Sequence, residues 1–256
     1  MPDSVPDFAS DHDLAAWLAT QAGERLLSVR ADSGLEGKEL KDAGDQAAQV
    51  VLADLLAAFA PEDAVLSEEA ADSPARLSAE RVWIIDPVDG TREFSEPPRE
   101  DWAVHVALWQ SGELVAGAVA QPALGEVFTT GPGAPVVPAR TEGPIRIAVS
   151  RSRPPAFVAP LVEALGAEVV PMGSAGIKAL SVVRDVTDVY VHAGGQYEWD
   201  SAAPVAVARA AGLHTSRVDG SELIYNQSSP YLPDLLVCRP EFAERVLGIL
   251  AGLDLP

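Results

Sequence analysis

The chain has 256 residues, 48% of them hydrophobic, with 38 acidic side chains against 18 basic ones and a net charge of −20. That composition can bury a large core and excludes a disordered acidic tail. The charge excludes an electrostatic surface for nucleic acid polymers or anionic membranes, and no apolar run approaches the ~20 residues of a membrane span. A small anionic substrate would therefore need metal ions or a local basic cluster. The opening Met-Pro-Asp-Ser-Val-Pro-Asp lacks the basic start and apolar block of a secretion signal, and Cys238 is the only cysteine. A cytoplasmic protein is the expectation.

Leu14, Trp17, Leu18 and Leu26 recur at helical spacing and predict a helix over 11–29. A polar segment over 30–44 follows, and a second helix over 45–60 with Val50, Val51, Leu55 and Ala58 on one face, stopped by Pro61. Strands are predicted over 64–66, 82–85, 102–109, 114–121 and 126–130, the later ones joined by Gly-containing turns. The Gly- and Pro-rich stretch 131–143 marks a boundary. Beyond it, strands over 145–149, 167–171, 186–191 and 235–238 alternate with helices over 157–165, 177–183, 201–211 and 242–250. The expectation is an α+β half over 1–133 and an α/β half over 144–256.

The stretch Val82-Trp83-Ile84-Ile85-Asp86-Pro87-Val88-Asp89-Gly90-Thr91 is the most informative. An apolar run ends in two carboxylates, then in a glycine and a threonine able to open a helix whose first N–H groups face an anion. Glu68-Glu69 after a short strand, and Asp200 at the head of an Ala-rich helix, supply further acids. Magnesium takes oxygen ligands of this kind. Taken singly, Asp45 and Asp200 read as N-caps, Glu68-Glu69 as a solvated loop, and Asp86-Pro87 as a strand terminator. Taken together, they point to metal-assisted phosphate chemistry. Phosphatases with an aspartyl nucleophile carry Asp-x-Asp-Gly-Thr near the chain start. Here two residues separate the acids and the motif comes later, which favours an activated water. The alternating ligands of an EF-hand are missing.

In order along the chain, Gly44-Asp45, Ser67-Glu68-Glu69, Asp86-Pro87-Val88-Asp89-Gly90-Thr91 and Trp199-Asp200 resemble the lithium-sensitive, magnesium-dependent phosphatase superfamily that includes inositol monophosphatase. The resemblance implies a five-layer αβαβα sandwich, two or three Mg2+ ions and a monomer or homodimer. By position, Glu68, Asp86 and the Val88 carbonyl would hold one metal, and Asp86, Asp89 and Asp200 a second. Asp45 would serve a third and the attacking water. Thr91, supported by Glu69, would orient that water, and the Gly90 and Thr91 N–H groups would hold the phosphate.

The stretches around Arg92 and Arg151 resemble the bacterial CysQ-type branch, which hydrolyses the 3′-phosphate of 3′-phosphoadenosine 5′-phosphate. Arg92, Arg151, Arg153, Ser174 and Lys178 are the expected substrate contacts. Ala193 stands where inositol monophosphatases carry a sugar-binding Glu. Inositol or fructose phosphates are the alternative substrates, and an inactive nucleotide sensor is the remote one. The family's usual Asp-x-Val-Thr-x-x-Asp is reduced here to Lys41-Asp42-Ala43-Gly44-Asp45, without the threonine.

Overall fold

Two five-stranded sheets alternate with three layers of helices in the computed structural model, which describes residues 8–140 and 142–255. The opening stretch weighed above as a secretion signal lies outside the described residues. The first sheet holds β1 (Ala64–Ser67), β2 (Arg81–Asp89), β3 (Ala103–Gln110), β4 (Glu113–Gln121) and β5 (Glu126–Thr129), in that spatial order. β1 and β2 run parallel and the remaining neighbours antiparallel. The second sheet holds β6 (Arg146–Ser150), β7 (Glu168–Met172), β8 (Val189–Tyr197), β9 (His214–Ser216) and β10 (Tyr231–Cys238), in the order β7-β6-β8-β10-β9.

Helices α1 (Asp11–Asp32) and α2 (Gly37–Phe59) cover the outer face of the first sheet, burying Leu14, Leu18, Leu26, Leu52 and Leu56 against Trp83, Ile85 and Val106. Helices α4 (Val158–Leu165) and α7 (Pro240–Leu250) cover the outer face of the second. Between the sheets lie α5 (Ala175–Val183) and α6 (Glu198–Ala210), whose residues share one core with Val82, Ile84 and Ala107 on one side and Leu235 and Val237 on the other. This is the expected αβαβα sandwich. Helix α6 is buried nearly all round, and its alanines explain how it fits between two sheets. On β4, Gly117 lets it approach, since a Cβ there would stand 2.8 Å from the Ala206 Cβ.

Helix α2 departs from the expected bounds. It starts at Gly37, so Asp45 lies two turns inside it and is not an N-cap. Its buried stripe is Leu40, Gly44, Ala48, Leu52 and Leu56, whereas Val50 is 50% exposed. The Phe94 ring crosses Gly44 so closely that a Cβ there would collide with it. Asp200 is likewise not the cap of α6 but its third residue, with Tyr197 in the cap position. The strand β9 was not expected. β2 runs on through the acids to Asp89 rather than stopping before Asp86.

The boundary segment is pinned to the second sheet by one buried carboxylate. Asp188 is fully buried and accepts from Arg146 N (2.8 Å), Arg146 Nη2 (2.9 Å) and Arg239 Nε (2.9 Å), and from Arg140 of the boundary segment. Burial alone would raise its pKa, but Arg146 and Arg140 outweigh it and bring it to about 2. Its contribution is therefore complete above the ordinary carboxylate range and lost only as pH falls toward 2. Replacing it removes the buried carboxylate that three guanidinium groups share and leaves Arg146 and Arg239 to divide Asp185 between them. Asp188→Asn should cost about 3–5 kcal/mol in urea unfolding at neutral pH; a loss within the scatter of surface variants would show that the cluster does not hold the segment.

Candidate active site

The acids of β2 share a face because the strand is irregular. Side chains alternate along a strand, so residues three apart should point to opposite faces. Asp86 pairs with His105, and Asp89 pairs with Ala103, so three steps on β2 match two on β3. Pro87 has no N–H to offer the ladder, and the extra residue is absorbed there as a bulge. Asp86 and Asp89 therefore both face the central layer, alongside His105.

From that layer α6 brings Asp200. Oxygens of Asp86, Asp89 and Asp200 lie within 4.8 Å of one another. Glu68 and Glu69 follow the end of β1, with Glu68 close enough to Asp86, Asp89 and Asp200 to feel their charge. Beyond β2, Gly90 turns with φ of 86°, and a Cβ there would press on Ser174, Asp101 and Trp102. The short helix α3 (Thr91–Phe94) follows, its Thr91 hydroxyl donating to the Val88 carbonyl at 3.1 Å.

Each carboxylate is held differently. Asp89 docks on the first turn of α5, accepting from Ala175 N (3.0 Å), Gly176 N (2.5 Å) and the Ser174 hydroxyl. His105 Nε2 stands 3.2 Å away. Nδ1 of the same ring donates to the Trp199 carbonyl at 3.1 Å, which turns Nε2 toward Asp89. Gly176 makes this contact feasible, because a Cβ there would collide with the His105 ring. Burial pushes the Asp89 carboxyl up, but His105, Ser174 and Lys178 outweigh it and hold it well below the usual range. For His105 itself, burial opposes the charged ring and Asp89 prevails, raising its pKa.

The other acids go the opposite way. Asp86 accepts only the Val88 N–H at 3.0 Å; burial, then Glu68, Asp89 and Asp200, push it well above the usual range. Burial and Asp89 bring Asp200 to about 6, although its carboxylate accepts the Tyr197 N–H at 2.6 Å. Desolvation of its carboxyl group, then Asp200 and Glu69, bring Glu68 to about 7. Desolvation and then Glu69 bring Asp45 to about 7, with Thr91 beside it pulling down. Crowded carboxylates that resist ionising are what a hard cation would relieve. The donors are all oxygens, with no thiolate among them, which fits magnesium or a similar ion.

The cluster opens into a cleft of about 650 Å3 whose walls include Asp89, Asp200, Gly90, Arg92, Ser174 and Lys178. Lys178 is 8% exposed; its ammonium reaches the Gly173 and Ser174 carbonyls and lies 5.4 Å from the Tyr190 ring centre. No carboxylate lies within ion-pairing distance of it among the described residues. Arg153 also lines the cleft. Arg151 does not turn to it: its guanidinium is taken by Glu93 (2.7 Å) and Glu96 (3.3 Å). Arg92 pairs with Glu96 at 3.1 Å. Ala193, where a sugar-binding acid was looked for, is buried on the cleft wall.

Nothing in the sequence marked His105, Tyr190 or Gln196 as members of the site. Only the pairing of His105 with Asp86 across β2 and β3 could have signalled the first.

The model of the inositol monophosphatase family matches residues 9–251. A Mycobacterium bovis protein named 3′-phosphoadenosine 5′-phosphate phosphatase is 53% identical over 240 residues, covering 90% of this chain and 89% of that protein. The 3′(2′),5′-bisphosphate nucleotidase CysQ of Escherichia coli K12 is 30% identical, covering 86% and 96%. The crystal structure of CysQ from Bacteroides thetaiotaomicron, described as a bacterial member of the inositol monophosphatase family, superposes with a TM-score of 0.76 at 26% identity, covering 88% and 96%. Matched by the family model over nearly its whole length and by a 53% identical relative, the chain belongs to the inositol monophosphatase family.

Proposed function

We propose that this chain is a magnesium-dependent phosphatase that hydrolyses the 3′-phosphate of 3′-phosphoadenosine 5′-phosphate, releasing AMP and phosphate. The observation that carries the reading is a cleft that sets a buried ammonium beside a cluster of acids. Asp86, Asp89 and Asp200 crowd together. Lys178 on the same cleft wall is held by the Gly173 and Ser174 carbonyls, with no carboxylate within ion-pairing distance among the described residues. A buried ammonium held by carbonyls alone suits a ligand that brings an anion. A bisphosphate supplies one phosphate for cations at the acids and one for the ammonium. The names of the Mycobacterium and Escherichia relatives support the same substrate.

In this reading Asp86, Asp89, Asp200, Glu68 and the Val88 carbonyl would hold two Mg2+ ions, and Asp45 a weaker third; bound there, they would supply an activated water and positive charge for the phosphoryl group. The chain's own groups do the rest. Thr91 orients the water, with its hydroxyl poised between the Val88 carbonyl and Asp45. Asp45 takes up its proton, and Glu69 supports Thr91. The Gly90 and Thr91 N–H groups steady the phosphate, and His105 with the first turn of α5 keeps Asp89 ionised and aimed. Lys178 meets the second phosphate, with Arg92 and Arg153 near the entrance, while the Ser174 hydroxyl, expected as a substrate contact, is taken by Asp89. Arg151 anchors α3 through Glu93 instead of meeting substrate. The reading is of a cytoplasmic enzyme, monomeric or homodimeric, with no helix among the described residues long and apolar enough to cross a membrane.

Hydrolysis of inositol or fructose phosphates is the second reading, and Ala193 weighs against inositol by removing a polyol contact. Catalytic efficiencies on 3′-phosphoadenosine 5′-phosphate, inositol 1-phosphate and fructose 1,6-bisphosphate decide between them. The nucleotide should lead by at least about tenfold, the value of one good ion pair at a desolvated site; a lead for either sugar phosphate overturns the assignment.

The shifted acids give a second expectation. Carboxyl groups raised in the folded state favour it most when protonated, so their contribution is lost as pH rises from about 4 through about 7. The metal-free protein should lose thermal stability between pH 5 and pH 8, and Mg2+ should restore more at pH 8 than at pH 6. Asp86→Asn removes one of the crowded charges. It should raise the metal-free melting temperature at pH 8 while lowering kcat by orders of magnitude. A variant that melts lower without metal, or that keeps near-normal turnover, would remove Asp86 from this role.

A further inference from the structure

One wall of the cleft carries polar groups that the phosphate chemistry leaves unused. β6 and β8 pair in parallel only at Ile147–Val189 and Ala148–Tyr190, and then separate. β7 pairs with the other side of β6, and α4 and α5 cover opposite faces of the sheet. The end of β6 is thus a switch point, where a crevice opens outside the carboxyl ends of parallel strands. The cleft occupies that crevice, running from Asp89 and Asp200 along the last residues of β8.

Two of those residues are unusual. Gln196 lines the cleft at 7% exposure, and neither its amide oxygen nor its amide nitrogen has a hydrogen-bond partner among the described residues. A buried amide left wholly unpaired is unfavourable, and such a group is retained where something else completes it. Tyr197 lines the same cleft but is 47% exposed. Its ring is braced by Trp199, stacked at 4.8 Å and 8°, and by the edge of Tyr231 at 6.1 Å. Gly195, with φ of 86°, makes room for Tyr231, whose hydroxyl a Cβ would strike. An exposed ring held rigid by two others is a ready surface for a flat ligand.

We propose that Tyr197 and Gln196 read the base of the nucleotide, Tyr197 by stacking under it and Gln196 by pairing its amide with the base edge. The inference rests on the nucleotide reading above and names the groups that choose among nucleotides. Adenine presents an amino donor beside a ring-nitrogen acceptor, which an amide matches with its own acceptor and donor. The corresponding edge of guanine presents two acceptors, so the amide can satisfy only one. The site therefore prefers adenine, and it does so with groups separate from the metal-holding acids.

The test compares the Mg2+-loaded wild type with Gln196→Leu, Tyr197→Ala and Tyr197→Phe on adenosine and guanosine 3′,5′-bisphosphates. Gln196→Leu should raise KM for the adenosine compound about tenfold with kcat within about twofold, and should erase most of the adenine preference. Its melting temperature should not fall, because an unpaired amide has been replaced by an apolar group of similar size. Tyr197→Ala should raise KM for both nucleotides by about tenfold, and Tyr197→Phe should restore it. Wild-type KM and base preference in Gln196→Leu would overturn the inference while leaving the nucleotidase activity standing. Failure of the wild type to cleave either nucleotide would instead overturn the proposed function.

Discussion

Mutual repulsion among carboxylates that are shut away from water is the interaction around which this molecule is organised. Left to themselves, Asp86, Asp89 and Asp200 would separate or take up protons. The fold prevents the first and only partly permits the second. Asp89 is kept ionised by the first N–H groups of α5, the Ser174 hydroxyl and His105. Asp86 has a single backbone donor, and burial beside Glu68 and Asp89 raises its pKa well above the usual range. One site thus holds two adjacent acids of opposite tendency, and a divalent ion is the simplest partner that satisfies both.

The bulge at Pro87-Val88 and the shared central layer bring these acids together. Without the extra residue Asp86 and Asp89 would lie on opposite faces of the first sheet. Without α5 and α6 between the sheets, neither the docking site for Asp89 nor Asp200 would reach them. Small residues mark both joints. Gly176 admits the His105 ring, and Gly117 admits α6 against β4.

Much of this was legible in the sequence. Strand and helix rhythm found some part of every long element, and the Asp-Pro-Val-Asp-Gly-Thr run located the acids, because hydrophobic alternation and turn chemistry are local signals. β8 was expected to end at Val191 but runs on to Tyr197, and β10 begins four residues earlier than expected, at Tyr231. The start of α2 was misjudged because Leu40, Gly44 and Ala48 make a weak stripe: a glycine and an alanine bury well only because Phe94 fills the space above Gly44. That ring arrives from a distant part of the chain. Arg151 was read as free for substrate because its partners, Glu93 and Glu96, lie over fifty residues away. His105, Gln196 and Tyr197 had no local signal either. Their meaning comes from what stands across the strand or the cleft.

The central layer has one more consequence, for the order in which the protein matures. Asp86 and Asp89 emerge from the ribosome with the first sheet, but α5 and Asp200 follow more than eighty residues later. Until that second stretch has threaded between the sheets, the early acids lack both their anchoring donors and their third member. A cation site built from all three acids can therefore be complete only once the later stretch has packed between the sheets.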